Sequence, residues 1–227
     1  MSAPAAAVPD LRTLAVELQS LGVRTRAADD GPGATRAGGA GPSDAGFVWI
    51  DGAPLTVPVH GDYVARSPYE LVLNGSGRAG TLLRDGVEIG QVRLHPRPRI
   101  YALETADGVP YWKIALMHLD SLASTVFQRC VYWGTHEQCR FCAIGTTLAA
   151  GRTVPVKTPA MLAEVAEAAA RLDGAKDVTL TTGTPNRDDR GAGYMARCAE
   201  AIRDRSGLPV QVQIEPPGDF GWFARLK

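Results

Sequence analysis

The sequence predicts an α/β protein in which a parallel sheet with helical crossovers follows a small region of short strands. Two observations carry this expectation. Between residues 122 and 215, stretches with strand character alternate with amphipathic stretches of helical period, in the order strand, helix, strand, helix, strand. That alternation is the mark of parallel strands joined by right-handed crossovers. Between residues 47 and 112 the pattern is different: short apolar runs are separated by Asp51-Gly52, Asn74-Gly75, Asp85-Gly86 and Asp107-Gly108. Such pairs populate positive φ and close hairpins.

The expected organisation has three parts. Residues 1–46 form an N-terminal helix and a flexible linker, residues 47–115 a small β-rich domain, and residues 116–227 the βα domain. In residues 10–21, Leu11, Leu14, Ala15, Leu18 and Leu21 recur at helical spacing. Residues 31–46 are rich in Gly, Ala and Pro and have too little apolar surface to order themselves. The β-rich part has strand candidates at 47–50, 55–59, 69–73, 80–83, 87–92 and 100–103. His60 and His95 stand apart from other ligand types there.

In the last part, residues 122–128 form the first strand. Thr158 and Pro159 then suit the N-cap and first position of a helix. Leu162, Val165, Ala166, Ala169 and Leu172 line its apolar face, and Gly174 ends it. Residues 177–183 form the second strand, 191–205 the second helix with Cys198 on its buried face, and 210–215 the third strand. Strand alternation puts Val178, Leu180, Val212 and Ile214 toward the helices. Thr179, Thr181, Gln211, Gln213 and Glu215 fall on the other face, expected to line a polar cavity.

The chain has 227 residues, with 24 basic and 24 acidic side chains. Balanced charge argues against nucleic acid as a bulk electrostatic partner. No apolar run approaches a membrane span, and the N-terminus lacks the basic and apolar regions of a secretory signal. Three of the four cysteines cluster in one stretch. That pattern indicates a reduced, cytoplasmic metal site and not a disulfide framework.

The stretch is Cys130-Val-Tyr-Trp-Gly-Thr-His-Glu-Gln-Cys139-Arg-Phe-Cys142-Ala-Ile-Gly145. A C-x-x-C pair presents two thiolates from one tight loop, and Cys130 adds a third. Three thiolates suit a 4Fe–4S cluster with one iron left free, because soft sulfur favours iron–sulfur and zinc. A zinc site using Cys130, His136, Cys139 and Cys142 is the rival, and a redox pair is a third alternative.

Cys139-Arg140-Phe141-Cys142 resembles the second half of the C-x3-C-x-aromatic-C signature of the radical S-adenosylmethionine (SAM) superfamily. The first spacer departs from it, with eight residues in place of three. The run from His118 through Gln128-Arg129-Cys130 to Gly145 resembles an uncharacterised subfamily encoded beside nitrilase-like genes. The resemblance implies a partial parallel βα barrel, its first three βα units, within a longer enzyme. It implies that Cys130, Cys139 and Cys142 hold a 4Fe–4S cluster, with Phe141 beside it. It places the backbone of Thr181, Thr182 and Gly183 at the SAM amino group and Glu215 at its methionine or ribose part. Reductive SAM cleavage would then give a 5′-deoxyadenosyl radical that abstracts hydrogen from a small-molecule substrate. A ferredoxin or flavodoxin would supply the electron.

Overall fold

The computed structural model describes residues 10–25, 45–50, 52–59, 62–74, 79–142 and 144–227. Most of the expected linker, the Asp51 and Gly75 turn positions and His60 lie outside the described residues. The chain divides into two compact units, with the boundary after Pro96.

The first unit opens with α1 (Leu11–Leu21), where Asp10 accepts hydrogen bonds from the free N–H groups of Arg12 and Thr13. Leu14 and Leu18, one turn apart, are buried. Gly22 ends the helix at φ 73°, and a Cβ there would stand 2.7 Å from both Pro58 O and Val64 Cγ2. Six strands follow: β1 (Arg24–Thr25), β2 (Ala45–Ile50), β3 (Ala53–Pro58), β4 (Tyr69–Leu73), β5 (Ala79–Arg84) and β6 (Val87–Leu94). They form one mixed sheet in the order β1-β4-β5-β6-β2-β3, antiparallel except where β1 runs parallel to β4. Asp85 and Gly86 turn β5 into β6 with φ of 50° and 82°, the positive values that an Asp-Gly hairpin requires. Leu14, Leu18, Val57, Tyr69, Leu71, Leu82 and Val92 form the core. Burial, and then the hydrogen bond that the Tyr69 hydroxyl donates to Glu17, push the Tyr69 pKa up to about 12.

The second unit contains β7 (Leu116–His118), β8 (Ser121–Thr125), α2 (Ile144–Ala149), α3 (Pro159–Asp173), β9 (Asp177–Thr181), α4 (Ala192–Ser206), β10 (Val210–Gln213) and α5 (Gly221–Leu226). Its sheet has the order β10-β9-β8-β7. β8, β9 and β10 are parallel, but β7 pairs antiparallel with β8. This overturns the expected partial parallel βα barrel: the protein is built on two mixed sheets. The cause is local. Leu119, at φ 61°, folds Leu116–His118 back along β8 and occupies the edge where a barrel would need a parallel neighbour. The strand expected at 100–103 is also corrected. Residues Arg99–Ala102 form a 3-10 turn, because the Asp173 carboxylate accepts from the N–H groups of Arg99 and Ile100 at 2.8 and 2.9 Å.

The crossover helices follow the sequence closely. Thr158 caps α3 by accepting from Met161 N, Pro159 takes its first position, and Gly174 ends it in the left-handed region. α3 and α4 pack against each other. Val178 and Leu180 are buried in the same core as Leu162, Val165, Met195, Cys198 and Ile202, and Val212 and Ile214 pack on it. Burial pushes the Cys198 thiol to about 12, so it is a protonated packing residue. The opposite face aligns Ala123, Thr179 and Gln211, then Thr125, Thr181 and Gln213. Both glutamines are exposed.

Asp189 sets the start of α4. Its carboxylate accepts from Gly191 N at 2.9 Å, Gly193 N at 3.0 Å and Asn186 Nδ2 at 3.0 Å. Desolvation alone raises its pKa, but these bonds outweigh it and leave the value below the ordinary 3.8. A depressed carboxyl stabilises the fold above its unfolded pKa, and that stability is lost as pH falls through the folded value. Asp189→Ala is therefore expected to cost about 1 kcal/mol at neutral pH, as for loss of a helix cap. The difference from the parent should shrink as unfolding is followed to pH values below 3.8. A gap that is unchanged on acidification would show that charge plays no part.

Candidate functional site

The site is built where β8, β9 and β10 end. Beyond Thr125 the chain stays extended: Val126 N donates to Thr181 O at 2.8 Å and Gln128 N to Pro155 O at 2.9 Å. Phe127 forms an isolated bridge with Val156. The segment is thus wedged between the end of β9 and the approach to α3. Beneath it lies Lys157, with 1% of its surface exposed. Its ammonium donates to Thr153 Oγ1 at 2.6 Å, Val154 O at 3.0 Å and Gln128 Oε1 at 3.3 Å. Gln128 in turn donates to Ile144 O at 3.2 Å. The two ends of the cysteine loop are thereby tied through one buried side chain.

Cys130 emerges half-buried from this anchor. Val131 N donates to Thr184 O at 2.9 Å, which holds the loop against the turn after β9. Gly183 is the contact that makes this possible. A Cβ on it would lie 2.3 Å from Arg129 O and 2.7 Å from Ile144 Cδ1. Gly183 therefore has a packing reason to be glycine, independent of any ligand. Gly183→Ala is expected to destabilise the chain by about 1–3 kcal/mol, the range for overpacking, since backbone on the facing side cannot rotate away. Urea denaturation measures this. Unaltered stability would mean that the loop and the turn separate without cost.

Glu215, just past β10, closes the third side. It accepts from Arg190 NH1 at 2.7 Å, Thr184 Oγ1 at 2.8 Å and Tyr132 Oη at 3.2 Å. Tyr132 belongs to the cysteine loop, and its pKa is raised by desolvation and by Glu215. The Arg187 guanidinium lies 4.9 Å above the Tyr132 ring and pairs with Glu137 of the same loop. Arg187 holds the Glu137 carboxyl below its ordinary range. Arg190 sits at φ 53°, a conformation that a long side chain rarely adopts.

The distal half of the loop is a series of turns. Thr135 N donates to Tyr132 O, Gln138 N to Thr135 O and Cys142 N to Cys139 O, each at 3.1–3.2 Å. Gly134, at φ 78°, donates to Gln138 Oε1 at 2.8 Å. Cys139 and His136 are exposed, Cys142 is half-buried and Phe141 is fully exposed. Next to the loop is a cavity of about 420 Å³ lined by Gln128, Arg129, Cys130, Trp133, Ile144, Gly145, Leu148 and Ala149.

Through Arg129, Val131 and Tyr132, the structure brings the segment around Cys130 against Gly183, Thr184 and Glu215. Thr181 meets Thr125 through their hydroxyls at 2.9 Å, and Thr182 Oγ1 donates to Gly183 O at 2.7 Å. It does not gather Cys139, Cys142 and His136 with Cys130. Among the described residues no group of three His, Cys, Asp or Glu side chains could hold a metal ion. A single zinc needs all its ligands within about 2.0–2.3 Å of one point, and neither that arrangement nor three gathered thiols is present among the described residues. A 4Fe–4S cluster takes one thiolate per iron. Cys130, Cys139 and Cys142 are all free thiols, so the residues fit such a cluster by donor type and by their place on one loop.

Sequence reasoning missed Lys157, Gln128, Tyr132, Trp133 and Arg190. Two adjacent aromatics in an otherwise polar loop were a visible signal for Tyr132 and Trp133. Nothing in the sequence marks Lys157 as buried. Comparison with family models, with curated proteins and with solved structures gives no match. Among the described residues no helix is long and apolar enough to cross a membrane.

Proposed function

We propose that the chain is a radical SAM iron–sulfur enzyme in which Cys130, Cys139 and Cys142 hold a 4Fe–4S cluster. The observation that carries the proposal is the position of the cysteine loop. It leaves the C-terminal end of β8 and is bonded there to the ends of β9 and β10, through Val131 to Thr184 and Tyr132 to Glu215. Ligand sites of open α/β sheets lie at the carboxyl ends of parallel strands. The motif Cys139-Arg140-Phe141-Cys142, with its free soft donors, supplies the chemistry.

When bound, the cluster and SAM supply one-electron cleavage of the sulfonium and a 5′-deoxyadenosyl radical that takes hydrogen from a small-molecule substrate. The chain's own residues bind, orient and shield. Lys157 and Gln128 anchor both ends of the loop, and the single turn from Cys139 to Cys142 carries two of the thiols. The backbone of Thr181, Thr182 and Gly183 and the Glu215 carboxylate form the wall assigned to SAM. Tyr132 and Arg190 fix that carboxylate. Phe141 is assigned to the cofactor from its place in the motif. A ferredoxin- or flavodoxin-like donor and a cytoplasmic, reducing location go with this assignment.

Anaerobic purification followed by reconstitution with iron and sulfide tests the proposal. A brown protein with broad visible absorbance and about four irons per chain, as one such cluster requires, supports it. A colourless protein that retains a single zinc overturns it in favour of a binding module.

A further inference from the structure

We propose that the cavity beside the cysteine loop is a binding site for a small aromatic carboxylate. Its volume, about 420 Å³, lies within the roughly 300–1,000 Å³ of small-molecule sites. Its wall has three kinds of surface. Trp133 gives an aromatic plane, and Ile144, Leu148 and Ala149 give an aliphatic side. Arg129 is the one charged residue among the described lining residues.

The indole is seated by a glycine. A Cβ on Gly145 would stand 2.6–2.8 Å from three atoms of the Trp133 ring, so only glycine lets the ring approach α2 this closely. A flat body stacks on such a ring and excludes water from the aliphatic side. An acidic group at one end of the ligand would pair with Arg129, which lines the cavity. A guanidinium recognises a carboxylate by paired hydrogen bonds, and Arg129 is exposed, with no ion-pair partner among the described residues. Its charge favours an anionic ligand over a neutral one of the same shape. Cys130 lines the cavity as well, so the ligand would lie beside the cysteine loop. Gln128 is already committed to Lys157 and Ile144 and so holds the floor in place without reading the ligand.

The inference stands on the cavity alone and is tested without metal. The full chain, kept reduced, is titrated calorimetrically with naphthoate and with the neutral naphthylmethanol. Saturable binding of one naphthoate per chain is expected. Arg129→Gln should weaken naphthoate by about tenfold or more, as for loss of a charge-assisted pair, and leave naphthylmethanol unchanged. Leu148→Trp fills the cavity from α2 and should abolish binding of both. Arg129 is exposed, so its replacement leaves the core intact. Absence of saturable naphthoate binding by the folded chain overturns the inference. So does an Arg129→Gln protein that binds naphthoate like the parent, or a Leu148→Trp protein that still binds either probe.

Discussion

Cys139→Ala and Cys142→Ala should each abolish iron binding after reconstitution, and His136→Ala should retain it. The reason is the number of soft donors. A cluster held by three thiolates loses a whole iron anchorage with each cysteine, whereas an exposed imidazole contributes nothing to it. Cys139 and Cys142 are joined by a turn in which Cys142 N donates to Cys139 O, so one backbone bend serves both. Cys130→Ala should behave like the other two, although eight residues separate Cys130 from Cys139. Val131 and Tyr132 fasten the Cys130 end of the loop to the β9 and β10 ends, so on the proposed assignment the distal turn carrying Cys139 and Cys142 must close on it. Iron and sulfide content and the visible spectrum report the outcome. If His136→Ala releases the metal while Cys130→Ala keeps it, the three-cysteine assignment is wrong and a site using His136 takes its place.

Lys157→Ala should destabilise the second unit by about 3 kcal/mol, combining lost hydrogen bonds to a charged group with a buried cavity. The ammonium serves acceptors on Thr153, Val154 and Gln128, and none of these three is charged. Removing it leaves the buried Thr153 and Gln128 and the partly buried Val154 carbonyl with fewer donors. Lys157→Met separates the two contributions: the volume is largely refilled and only the donors are lost, so a smaller cost, about 1–3 kcal/mol, remains. Because Gln128 also holds Ile144, both variants should loosen the loop and lower the iron retained after gel filtration. Urea denaturation gives the stabilities. A Met variant as stable as the parent would show that apolar burial, and not the hydrogen-bond network, holds this segment.

The legible parts of the fold were those governed by local rules. Thr158, Pro159, Gly174 and the Asp85-Gly86 turn each act through neighbouring backbone, and each is where the sequence places it. The faces of β9 and β10 were equally readable, since alternation depends only on strand geometry. The illegible parts depended on residues distant in sequence. The 3-10 turn at Arg99–Ala102 forms because Asp173, over 70 positions away, captures its N–H groups. The strand Leu116–His118 is too short for a periodic signal, yet its antiparallel pairing is what makes the second sheet mixed.

For the site, the sequence by itself determined which donors are present: three clustered thiols, an aromatic within the C-x-x-C pair and a carboxylate after the last strand. Donor type is a property of the residue and survives any fold. Only the tertiary structure decided what those donors touch. It engaged Glu215 with Tyr132, Thr184 and Arg190, required Gly183 for packing against Arg129 O, and buried Lys157 as the loop's anchor. These are contacts between segments brought together by strand pairing and helix packing, and a linear pattern contains no term for them.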